Sequence, residues 1–210
     1  MMKRGDRIMR SRTAEVERGF TMVEIVIVLV IVMIIAAIAL VQLQPTVQQF
    51  RANAAMAQVK GALRQAREIA ISQRRTIVVQ FAPATNSILL FQVLEPGNVR
   101  AAQPFLTLPI ETTVLFMTFP GEADTPDGYG IPGGGGGIEF GGVVGGPPAG
   151  MQFQSDGTFC NAAGTPINGT VFMGVPGIPT TARAVTILGS TGRIHAFKSA
   201  GGNAASTWFL

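Results

Sequence analysis

The sequence predicts an α+β fold, with one long, kinked N-terminal helix, transmembrane in its first half, packed on an antiparallel β-sheet domain. Three observations predict it. An uncharged apolar run fills Ile25 to Val41, helix formers continue to Gln73, and from Arg75 short strand-like segments alternate with Gly- and Pro-rich turns.

As a helix, Phe20 to Val41 is about 33 Å long at about 1.5 Å per residue, enough to cross a hydrocarbon core of about 30 Å. Glu24 lies near its start. A carboxylate near the lipid core costs a few kcal/mol unless it finds a partner or sits among headgroups. A cut between Gly19 and Phe20 supplies that partner, because the new α-amino group of Phe20 lies about one helical turn from Glu24, in the same or a neighbouring chain.

Arg18-Gly19 followed by Phe20-Thr21-Met22-Val23-Glu24 and an unbroken apolar helix resembles the class III signal of type IV prepilins and type II secretion pseudopilins. The resemblance implies a type IV pilin-like fold, cleavage after Gly19 and N-methylation of Phe20 by a prepilin peptidase. It also implies that Glu24 pairs with the Phe20 amine of a neighbouring subunit during assembly.

The chain has 210 residues, 47 % of them hydrophobic, and a net charge of +4, which fits one membrane helix and one globular domain. The positive balance looks like a nucleic-acid signal but comes mostly from the first residues. Lys3, Arg4, Arg7, Arg10, Arg12 and Arg18 against Asp6, Glu15 and Glu17 give residues 1–19 a charge of +3, leaving +1 for the rest. Basic residues flanking a first membrane helix hold that end in the cytoplasm, so residues 1–19 read as a cytoplasmic leader and the domain as periplasmic. A secretory signal discards its apolar segment; here the cut precedes that segment and the helix is kept.

Residues 20–43 read as the transmembrane part and 44–74 as the second half of the helix, bent at Pro45. Ala52, Met56, Val59, Leu63, Ala66 and Ala70 line one face at spacings of three and four, which suits packing against a sheet. Lys60, Arg64, Arg67, Arg74 and Arg75 form a basic stripe beside it, read as a solvated flank or a rim facing lipid headgroups, with a DNA surface as the alternative.

The β domain occupies residues 75–210. Thr76 to Phe81 and Ser87 to Val93 flank a five-residue loop and read as a hairpin, with further strands over Phe105–Ile110 and Thr112–Phe119. Residues 121–150 hold 13 of the 26 glycines, including Gly133 to Gly137, and read as a long mobile insert. The run is not a phosphate cradle, since Gly137 is followed by Ile138-Glu139 rather than Lys-Ser or Lys-Thr. Glu122, Asp124, Asp127 and Glu139 lack calcium-loop spacing and read as solvated loop acids. Strands resume at Met151–Ser155, turn at Asp156-Gly157, and recur at Thr158-Phe159, Thr170–Val175, Ala182–Leu188 and Arg193–Phe197.

Phe153-Gln154-Ser155-Asp156-Gly157-Thr158, Arg183-Ala184-Val185-Thr186-Ile187 and Thr191-Gly192-Arg193-Ile194, with Gln73 to Val79 after the helix, are similar to the pattern of the GspH/FimT family of minor pseudopilins and minor pilins. Some FimT-type members bind DNA through Gly-Arg-x-Arg near the C-terminus. The corresponding residues here are Gly192-Arg193-Ile194-His195, followed by Lys198. The resemblance thus marks Arg193, His195 and Lys198 as candidate DNA contacts, weakened by a histidine that is mostly neutral at pH 7. Otherwise they are exposed positions on a terminal hairpin.

With one cysteine, Cys160, and one histidine, the sequence offers no internal disulfide, zinc constellation or Cys-His pair, and no cofactor or enzymatic activity is expected. Trp208 and Phe209 dock either on the sheet or on a neighbour. The resemblance implies a GspH-like minor pseudopilin of a type II secretion system in the inner membrane. Its partners would be other pseudopilins or pilins through the N-terminal helix, the prepilin peptidase and the assembly platform. The alternative is a FimT-type minor pilin of a type IV pilus that binds DNA.

Overall fold

The computed structural model describes residues 19–94, 99–130, 136–142, 150–199, 201 and 208–210, and the expected leader lies outside them apart from Gly19. The chain divides into two compact units, Met1–Leu43 and Gln44–Leu210. Helix α1 (Met22–Gln73) contains Pro45 and has one acid, Glu24, in its first turn.

In the first unit, the stretch Met22–Ala39 has a mean hydropathy of 3.2 and buries nothing, so it is long and apolar enough to cross a membrane. Its many Ile and Val residues lower helix propensity in water. In lipid the rule changes, because only a helix satisfies every backbone N–H and C=O within a single segment.

In the second unit, α1 buries Ala52, Ala55, Val59, Ala62, Leu63, Ala66 and Ala70. The apolar face is therefore as read from the sequence, with Ala55 and Ala62 added and Met56 packed at its margin. The helix ends where Arg74 takes a left-handed φ of 51° and the Arg75 N–H reaches back to the Ala70 carbonyl at 3.0 Å, the closure that satisfies terminal carbonyls.

Twelve described strands follow: β1 (Ile77–Ala82), β2 (Ser87–Leu94), β3 (Val99–Arg100), β4 (Leu106–Pro109), β5 (Leu115–Phe116), β6 (Ile138–Phe140), β7 (Gln152–Phe153), β8 (Phe159–Cys160), β9 (Gly169–Val175), β10 (Ile178–Leu188), β11 (Arg193–Ser199) and β12 (Trp208–Phe209). They form two antiparallel sheets rather than the single one expected. The first has the order β3-β2-β1-β7-β8 with β4 also on β2, and the second β12-β11-β10-β9-β5 with β6 also on β9. The expected hairpin is β1–β2, with Val79 opposite Leu90. Of the strand expected over Thr112–Phe119, only Leu115–Phe116 pairs. The Asn86 side chain donates to the carbonyls of Glu111 and Val114 at 3.0 and 2.8 Å, which holds the preceding residues in a turn.

The two sheets meet on α1 through a run of phenyl rings. Phe153 lies 4.8 Å from Phe159, Phe159 5.4 Å from Phe140, and Phe140 6.0 Å from Phe81, which meets Phe116 edge-on at 5.8 Å. Phe81, Phe153 and Phe159 belong to the first sheet, Phe116 and Phe140 to the second.

Among the described residues of 121–150, Phe140 overturns the reading of a mobile, solvated loop. Ile138–Phe140 is a strand paired with β9, and all three of its residues are buried. The acids are not solvated either. Glu122 is buried and accepts the Phe119 N–H at 2.8 Å; Asp124 accepts from the Thr125 N–H at 2.7 Å; Asp127 accepts from Thr125 at 2.7 Å and from Thr186 on β10 at 2.6 Å; Glu139 is buried. The reason lies in the second sheet, whose outer side carries an apolar cluster of Phe172, Ala182, Ala184 and Phe197. Phe119, Met117 and Trp208 join that cluster, and the Trp208 indole N–H donates to the Ala123 carbonyl at 2.9 Å. The expected Gly133–Gly137 run lies mostly outside the described residues.

Two arginines tie α1 to the sheets. Arg183, buried on β10, donates to the Asn53 side chain at 2.8 Å and to the Ala182 carbonyl at 2.7 Å; burial lowers its pKa. Arg67 reaches the Gly157 carbonyl at 3.2 Å and the Thr191 carbonyl at 3.0 Å. The expected solvated stripe is corrected at this position, because Arg67 clasps two turns of the sheet domain. Both turns need glycine there. Gly157 has φ 85° and Gly192 φ 61°, and a Cβ on Gly192 would collide with the Gly157 carbonyl oxygen.

Three outcomes follow. Phe140→Ala costs about 3–5 kcal/mol, read as a lower urea midpoint of the full chain in detergent, whereas a solvated loop residue would cost almost nothing. Arg67→Met costs about 1–2 kcal/mol by withdrawing a charged donor from two carbonyls, read the same way. Burial pushes the Glu122 carboxyl from 4.5 up to about 7, eased by the Phe119 hydrogen bond and reinforced by Glu139. Its contribution to stability is full below about pH 4.5 and is lost as pH rises through about 7. Glu122→Gln therefore flattens the fall in thermal midpoint between those values, and an unchanged pH profile would refute the assignment.

Candidate functional site

The first candidate site is the start of α1. Gly19 and Phe20 are exposed and non-helical. The Thr21 hydroxyl accepts the Glu24 backbone N–H at 3.3 Å, and the Thr21 carbonyl accepts from the Ile25 N–H at 3.2 Å. Thr21 is thus the N-cap, and Thr21-Met22-Val23-Glu24 has the Thr-x-x-Glu spacing of a capping box. The sequence reading passed over this cap, although its signal was present. Glu24 in the first turn is also favoured by the helix dipole. Its carboxylate is exposed and has no hydrogen bond or ion pair among the described residues.

Gly19 has no internal need to be glycine. A Cβ there meets nothing within 4 Å.

The second candidate site is basic. A groove of about 760 Å³ is lined by Arg64, Arg67 and Glu68 of α1, by Leu188 of β10 and Thr191 of the turn after it, and by Arg193, Ile194 and His195 of β11, among others. Arg67 is held by its two carbonyls. Arg64 and Arg193 are exposed and have no hydrogen bond or ion pair among the described residues. His195 is half-buried, with Nδ1 3.9 Å from Asp127 Oδ2.

The sequence-predicted DNA contacts are only partly brought together. Arg193 and His195 line the groove and Lys198 does not. Side chains alternate along β11, which puts Arg193 and His195 on one face and Lys198 on the other, where it pairs across the ladder with Arg183. Cys160 is a buried free thiol. No group of three or more His, Cys, Asp or Glu residues suited to a metal ion exists among the described residues. Trp208 and Phe209 both pair with β11; the Trp208 side chain packs on the second sheet, while that of Phe209 is exposed.

Residues 16–40 match the family described as the prokaryotic N-terminal methylation motif. No curated protein matches the chain. Among solved structures, the chain is similar to the minor pseudopilin EpsH from the Type 2 Secretion System of Vibrio cholerae, at 12 % identity and a TM-score of 0.44, covering 70 % of this chain and 97 % of that one. It is also similar to the type IV minor pilin FimU of Pseudomonas aeruginosa, at 20 % identity and a TM-score of 0.42, covering 69 % of this chain and 90 % of that one. Residues 16–40 therefore carry the prokaryotic N-terminal methylation motif, at the place to which the order Gly19, Phe20, Thr21, Glu24 had pointed.

Proposed function

We propose that the chain is a GspH-like minor pseudopilin, a structural subunit of a type II secretion system that assembles into a periplasmic pseudopilus through α1. The observation that carries this reading is the methylation-motif match over residues 16–40, set where Gly19 and Phe20 lie exposed and non-helical directly before a Thr21-capped apolar helix.

The mechanism follows from the chemistry of that end. A prepilin peptidase removes residues 1–19 and methylates the new Phe20 amine. Residues 20–43 wait in the inner membrane with the β domain, 75–210, in the periplasm at the end of the helix segment 44–74. A carboxylate in the apolar layer is costly, and a neighbouring subunit's Phe20 amine offsets that cost only when the helices dock side by side in register. Glu24 thereby selects the assembled state over the free subunit at the assembly platform.

The second reading is a FimT-type minor pilin of a type IV pilus, which would use the same cut and the same helix. DNA binding in that reading would rest on Arg64, Arg193 and His195 at one groove. Complementation of a deletion separates the two, through recovery of protein secretion or of pilus-dependent movement and DNA uptake.

Glu24→Ala leaves processing intact, so that mass spectrometry finds Phe20 first and methylated, yet lowers the amount of the chain in sheared filaments at least tenfold. Normal incorporation of that variant would remove Glu24 from the mechanism. Gly19→Val blocks the cut without altering the thermal midpoint of the domain, since the added side chain touches nothing in the fold.

A further inference from the structure

We infer that the groove between α1 and the β10–β11 turn binds a short acidic peptide segment, with its carboxylates held by Arg64 and Arg193. The two arginines line one groove from different elements, α1 and β11, and neither has a partner within the described fold. A guanidinium is a planar fork that matches a carboxylate in a two-bond arrangement. Arg67, in the same lining, is already committed to Gly157 and Thr191. It therefore fixes the walls and leaves Arg64 and Arg193 to the ligand.

The rest of the lining decides the class of ligand. Glu68 stands on the same wall. Its carboxylate repels a phosphate backbone, which offers only acceptors, but it accepts from the N–H groups that a peptide carries beside its acidic side chains. Leu188 and Ile194 add apolar surface that a peptide's aliphatic side chains cover and a phosphodiester does not. A volume of about 760 Å³ suits a few side chains rather than a track. Strong duplex binding draws on roughly six to ten phosphate contacts, and this groove supplies two free guanidiniums and one half-buried histidine. The third predicted contact, Lys198, lies on the opposite face of β11 and outside the groove. The inference concerns the unit Gln44–Leu210 alone and stands whether or not the chain is processed at Gly19.

The test uses the full chain in detergent micelles with three fluorescent probes: the capped peptide Leu-Asp-Glu-Leu, its uncharged counterpart Leu-Asn-Gln-Leu, and a short DNA duplex. The acidic peptide is expected to bind at least tenfold more tightly than either of the others. Arg64→Gln combined with Arg193→Gln is expected to remove that preference with the thermal midpoint unchanged. Arg64→Lys combined with Arg193→Lys, which retains the charge and the fold but loses the planar forks, is expected to weaken the acidic peptide several-fold. Equal binding of the two peptides, tighter binding of the duplex, or full acidic-peptide affinity in both double variants would overturn the assignment.

Discussion

The β domain depends on one constraint, the burial of a narrow, small-residue seam along the second half of α1. Ala52, Ala55, Ala62, Ala66 and Ala70 are all buried, and side chains this short bring the sheet residues close to the helix axis. Close approach leaves little space above the seam, and protein interiors fill such space to near-crystalline density. Val59 and Leu63 fill part of it from the helix, and Ile77, Val79, Val185 and Ile187 from the strands. Neither sheet covers the seam alone. The two join over it through the phenyl run from Phe153 to Phe116, so Phe140, at the middle of that run, is a core residue although it stands in the most glycine-rich part of the chain.

The same seam explains why the two C-terminal motifs have the residues they have. Asp156-Gly157-Thr158 and Thr191-Gly192-Arg193 are separate turns that converge on Arg67. Asp156 accepts from the Thr158 N–H at 2.9 Å and its hydroxyl at 2.6 Å, bonds that hold its carboxyl below the usual range and fix the turn. Gly157 and Gly192 then supply the left-handed backbone and the missing side chains that let the turns touch. A motif that reads in sequence as a strand-flanking turn is, in the fold, the contact surface between sheet and helix.

The sequence made legible what depends on local period and local chemistry. The buried face of α1 showed in its spacing, the β1–β2 hairpin in its two apolar runs, and the helix start in the order of residues from Gly19 to Glu24, where even the overlooked Thr21 cap had a readable Thr-x-x-Glu signature. What was not legible depends on distant partners. Composition averaged over residues 121–150 hid Ile138-Glu139-Phe140, because a three-residue strand becomes one only when β9 lies beside it. The acids there were read as solvated since nothing nearby in sequence reveals that Thr186 donates to Asp127 across the second sheet. Arg67 looked like one member of a stripe because its acceptors lie 90 and 124 residues further on.

Function in this domain turns on sorting its arginines by partner rather than by number. Arg183 spends its charge inside, on Asn53 and on β10 backbone carbonyls, and no carboxylate lies within ion-pair distance of it among the described residues. Breaking such a network is costly because it leaves a desolvated cation behind, so Arg183 belongs to the fold. Arg67 likewise has its acceptors within the chain. Arg100 covers the Phe91 ring at 4.3 Å and donates to Gln80 at 2.6 Å, which engages it as well. Of the arginines around the groove, those without an acceptor among the described residues are Arg64 and Arg193, which line one cavity with the clasped Arg67. A surface cation gains little from facing water alone. The Arg67 clasp joins α1 to the turn before β11, so the contact that closes the fold also brings both arginines to one groove.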